Sequence, residues 1–341
     1  MSKLIITACL SFLIFSQQNF SQQKKEEKKK ESKPDVVKEQ TETEQTIPDT
    51  VKIGVYLFSL YDLDFPGNKV NADFYVWYNT TKDSMNLPQN FELVNATQFN
   101  KAGSTDEMRG NIIYQTLRIN SQLKKQWDVM DFPFDKQTIQ IIIEDIEKDN
   151  TKLRFVADTI GSKIDKSVQL EGWKINDYKI KVIDHTYETS YGDPNLSLTD
   201  YSTYSRVVVE FTIEREGKGI FFKLFIGLFI SVLIAMLTFF ISPTDLDPRF
   251  GLPIGAIFAS IASQYVISST LPQNSTLTLV DILHDVSFIY IFLCLLLSTI
   301  SLSQMKKEKG EVSQKLDRYS FFILAFSYVI IVGFFVLKTV N

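Results

Sequence analysis

Between Phe250 and Thr270 an apolar run is interrupted by Gly251, Gly255, Ser260, Ser263, Gln264, Ser268, Ser269 and Thr270. That set has no histidine or acid beside its hydroxyls in the sequence to activate them. What it can do is line a path for water and ions, because polar groups at membrane depth are costly unless they face protein or an aqueous space. Read as a helix, one face carries Gly251, Gly255, Phe258, Ala262, Tyr265 and Ser269, at alternating spacings of four and three. The glycines leave room at one end, and Phe258 would form an apolar constriction of the kind that gates by dewetting. Asp245 and Asp247 precede the run with Arg249 beside them. A ring of carboxylates from Asp247 at a mouth favours cations. A shift of one residue in register would turn Ser263 or Gln264 inward instead. Small residues and serines also serve helix–helix packing in membranes, so the segment alone leaves lining and packing both open.

Other chemistries lack their residues. The sequence has two histidines, His185 and His284, far apart in the chain and read as a surface and a membrane-interface residue. No Ser/His/Asp set, metal-ligand spacing or phosphate-binding loop occurs, so no enzyme activity, metal or cofactor is expected. Cys9 falls in the leader, leaving Cys294 alone and no intrachain disulfide. The net charge of −4 over 341 residues points to no nucleic-acid partner.

The elements that must hold the polar span follow from composition. Four apolar segments, about 219–242, 250–270, 282–304 and 319–338, each approach the roughly 20 residues a spanning helix needs. The link between the third and fourth carries Lys306, Lys307, Lys309, Lys315 and Arg318, and the link between the second and third (QNSTLTLV) carries no basic residue. The first should be cytoplasmic and the second outside, which leaves both chain ends outside. Residues 1–21 read as a secretory signal, with Lys3 before an apolar stretch from Leu4 to Phe15. Residues 22–48, rich in Lys and Glu, read as a disordered tether. Residues 49–216 read as an antiparallel β-sandwich of Ig-like kind. Its strands are Val51–Leu60, Asp73–Tyr78, Thr138–Ile143, Lys152–Ala157, Trp173–Ile183 and Arg206–Glu214. WKINDYKIKV alternates with period two, as a half-buried strand does. Residues 79–110 carry little strand signal. Residues 217–341 form the membrane domain.

Several motifs in order resemble those of pentameric ligand-gated ion channels, the Cys-loop receptor superfamily, in its prokaryotic form. PRFGLPIGAIFA followed by SSTLP is similar to the second transmembrane segment, with Leu271-Pro272 at its end and Asp281 opening the next helix. DFPFDKQTI (Asp131–Ile139) resembles the signature loop without its flanking cysteines; LEGWKINDYKI and FTIERE match a strand and the stretch before the first span. The resemblance covers roughly residues 50–338. The Trp-x-Pro motif of the family is missing, NLPQNFELVNATQFN standing in its place, and Pro253 inside the pore segment is unusual. A helix there should begin near Phe250 or kink.

The resemblance implies a homopentamer in a bacterial inner membrane, with lipid around it and inorganic ions passing along an axis lined by the second span. It implies a coupling cluster of Asp64, Asp135 and Arg215, with the loop Gln273–Val280 pressing on it. It implies a site between subunits under a capping loop near residues 185–204, where Tyr187, Tyr191, Tyr201 and Tyr204 form an aromatic wall and Trp77 or Tyr75 faces it from the neighbour. Aromatic boxes favour cationic amines; a small molecule or a proton is the expected signal. Pro248-Arg249 also resembles the anion-channel pattern, so an anion-selective channel stays open beside a cation-selective one, as does a non-conducting receptor or scaffold on the same fold.

Overall fold

The computed structural model describes residues 47–82, 85–192, 201–273 and 276–340. The expected signal, nearly all of the expected tether and the middle of the capping loop therefore lie outside the described residues. Among the described residues ten strands come first: β1 (Asp49–Asp64), β2 (Lys69–Thr80), β3 (Phe91–Leu93), β4 (Ala96–Arg109), β5 (Ile112–Lys124), β6 (Lys136–Asp145), β7 (Leu153–Ala157), β8 (Lys163–Ile164), β9 (Trp173–Tyr187) and β10 (Ser202–Arg215). A single helical turn, α1 (Leu87–Asn90), precedes β3. Four helices follow: α2 (Gly217–Met236), continued by a 3-10 turn at Leu237–Phe240, then α3 (Leu246–Ser268), α4 (Leu279–Lys306) and α5 (Gly310–Val340).

The strands make two sheets. One runs β4-β5-β2-β1-β7 with β8 also on β1; the other runs β3-β6-β10-β9. Pairing is antiparallel except where β1 meets β7 and β8. Period-two alternation does the layering. Val51, Ile53, Val55 and Leu57 of β1 and Val70, Ala72, Phe74 and Val76 of β2 are fully buried, as are Ile141 and Ile143 of β6 and Val207 and Val209 of β10. Each set turns one face of its sheet into a common core. The same core continues through Phe221 and Phe225 of α2 and Leu279 and Leu283 of α4, so strands and helices share one packed interior.

β4 is the strand the sequence conceals. It is exposed along all but its first residue, so neither face carries an apolar row and no alternation marks it. β5 does alternate, with Ile113, Leu117, Ile119 and Leu123 buried, and it holds β4 by ladder pairs and by polar side-chain bonds such as Thr105 to Thr116 and Gln115 to Asp106.

All four long helices are long and apolar enough to cross a membrane. α3 starts at Leu246, a turn before the expected Phe250, and runs through Pro253. His284, read as an interface residue, lies fully buried in α4.

One close approach in β1 is sequence-specific. A Cβ at Gly54 would run into the Trp77 ring on the paired strand. Gly54→Ala should therefore overpack this site and cost about 1–3 kcal/mol, read as a lower midpoint when thermal unfolding of purified protein is followed by intrinsic fluorescence. An unchanged midpoint would show that the indole yields freely.

Candidate functional site

The residues of α3 divide cleanly between two faces. Arg249, Pro253, Ala256, Ser260 and Ile267 are buried against the rest of the bundle. Gly251, Gly255, Phe258, Ala262, Tyr265 and Ser269 are all exposed, Phe258 to 68% and Tyr265 to 75%. Flanking them, Ile254, Ile261 and Val266 are also exposed. Ser263, the candidate for a shifted register, lies with its hydroxyl 3.5 Å from His284 Nε2 on α4. Nδ1 of the same ring lies 2.8 Å from the Val280 carbonyl, which can only accept, so Nδ1 donates there.

At the N-terminal end of α3, Asp245 and Asp247 are exposed while Arg249 is wholly buried. The expectation that Arg249 stands beside Asp247 at a mouth is corrected here. Its Nη2 donates to Asp317 Oδ1 of α5 at 2.6 Å, and its Nη1 donates to the carbonyl of Ile241. A guanidinium has no low-cost place in hydrocarbon except against a carboxylate, which is what turns it inward.

Pro253 is accommodated at the same place. It has no N–H for the carbonyl four residues back, which is that of Arg249. The hydroxyl of Thr238, in the 3-10 turn after α2, donates to this carbonyl at 2.5 Å, and Ser298 Oγ of α4 lies 3.3 Å from Thr238 Oγ1. Residues from all four long helices or their ends thus meet in one polar knot. Borrowed hydroxyls are how membrane helices tolerate proline.

A second charged centre lies where strands meet helices. Arg215, ending β10, donates from Nε to Asp135 Oδ1 at 2.6 Å and from Nη2 to Oδ2 at 3.3 Å. Gln137 Nε2 donates to the same carboxylate at 2.7 Å. The guanidinium carbon sits 4.0 Å from the Trp173 ring and 4.8 Å from those of Phe65 and Phe132. A two-pronged ion pair inside an aromatic cage is a geometry suited to arginine and not to lysine. Asp64 takes no part in the pair: its Oδ1 accepts from Gly67 N at 2.8 Å, closing the β1–β2 turn. Its main-chain carbonyl accepts from Trp127 Nε1 at 2.9 Å, and Trp127 stacks on Phe65. Asp64 therefore supports the cage from outside, and the proposed triad reduces to a pair.

The signature loop and Met130 just before it touch both neighbouring helices. Met130 O accepts from Leu279 N at 3.0 Å at the start of α4, and the Phe134 ring lies 5.6 Å from that of Phe221 on α2. A cavity of about 910 Å³ opens beside it, with Asp131, Lys136, Lys174, Glu216 and Lys218 among its lining. Burial, then the charges of Asp128 and Asp135, raise the pKa of Asp131 above the usual aspartate range.

Around the capping loop, the ring of Tyr187 lies 5.7 Å from that of Tyr191 and 5.8 Å from that of Tyr204, edge-on to both. Tyr201 is exposed. The sequence reading missed the ion pair beneath them. Arg206 Nε donates to Glu144 Oε1 at 2.5 Å, Tyr187 donates to Glu144 Oε2 at 3.0 Å, and Arg206 Nη2 donates to the Tyr187 hydroxyl at 2.9 Å. Burial, then the bond to Glu144, pushes the Tyr187 phenol up to about 12. Glu92, paired across strands with Glu144, is raised by burial and by that neighbour.

Trp77 is committed within its own sheet, donating to Asp158 at 3.2 Å. Tyr75 is the free-facing aromatic there, 40% exposed. Its ring lies 5.2 Å from that of Phe58, and the Arg118 guanidinium stands over both.

No protein-family model matches the chain. It is 26% identical over 219 residues to the gamma-aminobutyric acid receptor subunit rho-1 of Rattus norvegicus and, equally, of Mus musculus, covering 60% of this chain and 42% of each relative. The human subunit of the same name is 27% identical over 195 residues, covering 55% of this chain and 37% of the relative. The chain therefore spans about two fifths of the length of these relatives. Together with a β-sandwich followed by four candidate membrane helices, this similarity supports kinship with the Cys-loop receptor superfamily.

Proposed function

We propose that the chain is a subunit of a ligand-gated ion channel, in which five copies surround an axial path lined by α3. The observation that carries this reading is the division of α3: the face of Gly251, Gly255, Phe258, Ala262, Tyr265 and Ser269 is exposed while the opposite face, with Arg249, Ala256 and Ser260, packs inside the subunit. Side chains such as Ile254, Ile261 and Val266, exposed on either flank, suit contact with neighbouring copies. Phe258, between the glycines and Tyr265, is the constriction. The path prefers cations, because Asp245 and Asp247 are exposed at its end while the charge of Arg249 is spent on Asp317. The chain sits in a bacterial inner membrane with both ends outside, the basic α4–α5 link facing the cytoplasm.

The signal enters at the tyrosines of the capping loop. Glu92 and Glu144 stand there against the single guanidinium of Arg206, an excess of negative charge beside aromatic rings that suits a cationic amine. Tyr75 and Arg118 of the next copy form the opposite wall. Motion of that loop reaches α4 through β10, the Arg215–Asp135 pair and the Met130–Leu279 bond. A ligand shifts the gate only by its difference in affinity for the closed and open forms.

Recordings of reconstituted protein test each part. Phe258→Ala should raise basal current or slow closure; unchanged currents count against its gate role. Asp247→Asn should move the reversal potential in a KCl gradient toward that of chloride, and an unmoved potential removes Asp247 from selectivity. Arg215→Lys keeps the charge and loses the fork and the cage, so it should right-shift the agonist response or abolish it while assembly by size-exclusion chromatography stays intact. A native response from this variant would place coupling elsewhere.

A further inference from the structure

The bundle contains a cation that the ion path does not use. Arg249 belongs to α3, two residues after the exposed Asp247, yet its side chain is fully buried. Its charge is met by Asp317, on the outermost helix in sequence and only 5% exposed, through a contact of 2.6 Å. Nε of Arg249 has no hydrogen-bond partner among the described residues, so the guanidinium is held mainly by this carboxylate and the Ile241 carbonyl.

We infer that Asp317 is a specificity-determining positioning residue: by holding Arg249 inside the subunit it keeps a ring of positive charge away from the ion path. This inference rests on α3 lining the path, as proposed above. The physical argument is that removing one member of a buried pair leaves the other uncompensated, which is strongly unfavourable. An arginine so released relieves the cost by extending toward the nearest water with its stem still in apolar surroundings. Asp245 and Asp247, four and two residues before Arg249 and both exposed, offer it carboxylates at the N-terminus of α3. The backbone itself stays held, since the Thr238 hydroxyl supplies the bond to the Arg249 carbonyl that Pro253 does not, so only the side chain need move. A guanidinium swung to the mouth would cancel the carboxylate ring that attracts cations.

The test is the reversal potential of purified, reconstituted protein in a KCl gradient. Asp317→Asn should shift it from the cation side toward the chloride potential, whereas Asp317→Glu should leave it native. The double variant Arg249→Gln/Asp317→Asn, which carries no stray charge, should recover the native potential. It also serves if the single variant fails to assemble, since replacing both members of a buried pair is far better tolerated than replacing one. A more cation-selective double variant would mean that Arg249 already faces the path and overturns the inference. So would a native potential from Asp317→Asn in recordings where Asp247→Asn moves it, and in that case the path reading survives. If native protein passes no current under any condition, the path reading fails and takes this inference with it.

Discussion

Arg249 occupies a fully buried site because its charge and main chain find partners on separate elements. Asp317 of α5 takes the charge, the carbonyl after the 3-10 turn takes a second prong, and Thr238 takes the carbonyl that Pro253 leaves idle. In a bilayer such groups have no water to fall back on. The arrangement is therefore restrictive: α3 cannot rotate without exposing a cation, and α5 cannot leave without stranding one. The outward face of α3, with its glycines, Phe258 and Tyr265, is fixed by what the inward face must hide.

A similar logic operates at the other end of the helices with different materials. Arg215 is ringed by Trp173, Phe65 and Phe132 and bonded to Asp135. Aromatic faces and a two-pronged carboxylate make a charged joint rigid without sealing it in hydrocarbon. One arginine thus anchors the base of the bundle and another its junction with the sandwich.

Much of this was legible in the residues. Apolar length marked the four helices, β-branched and aromatic runs marked six of the ten described strands but not β3, β4, β5 or β8, and the three-and-four spacing from Gly251 to Ser269 named a face that is in fact exposed. What escaped did so for physical reasons. β4 is wet on both sides and carries no pattern. Asp317 lies 68 residues from Arg249, a separation at which no local spacing rule applies, although an aspartate so near the fourth apolar run was itself a signal. Glu144 and Arg206 lie on neighbouring strands where an ion pair looks like any two charges. Asp64 was assigned to the cluster by its place in a loop, and a short Asp-x-x-Gly turn claimed its side chain instead.

The link from Met130 to Leu279 runs between two main chains, an amide hydrogen to a carbonyl oxygen. Almost any side chain can occupy either position without deleting it, proline at the donor being the exception. The two loops that meet there are consequently free to diverge in sequence while the contact persists. Sandwich and helices can then change side chains on either side of this seam and keep the join between them.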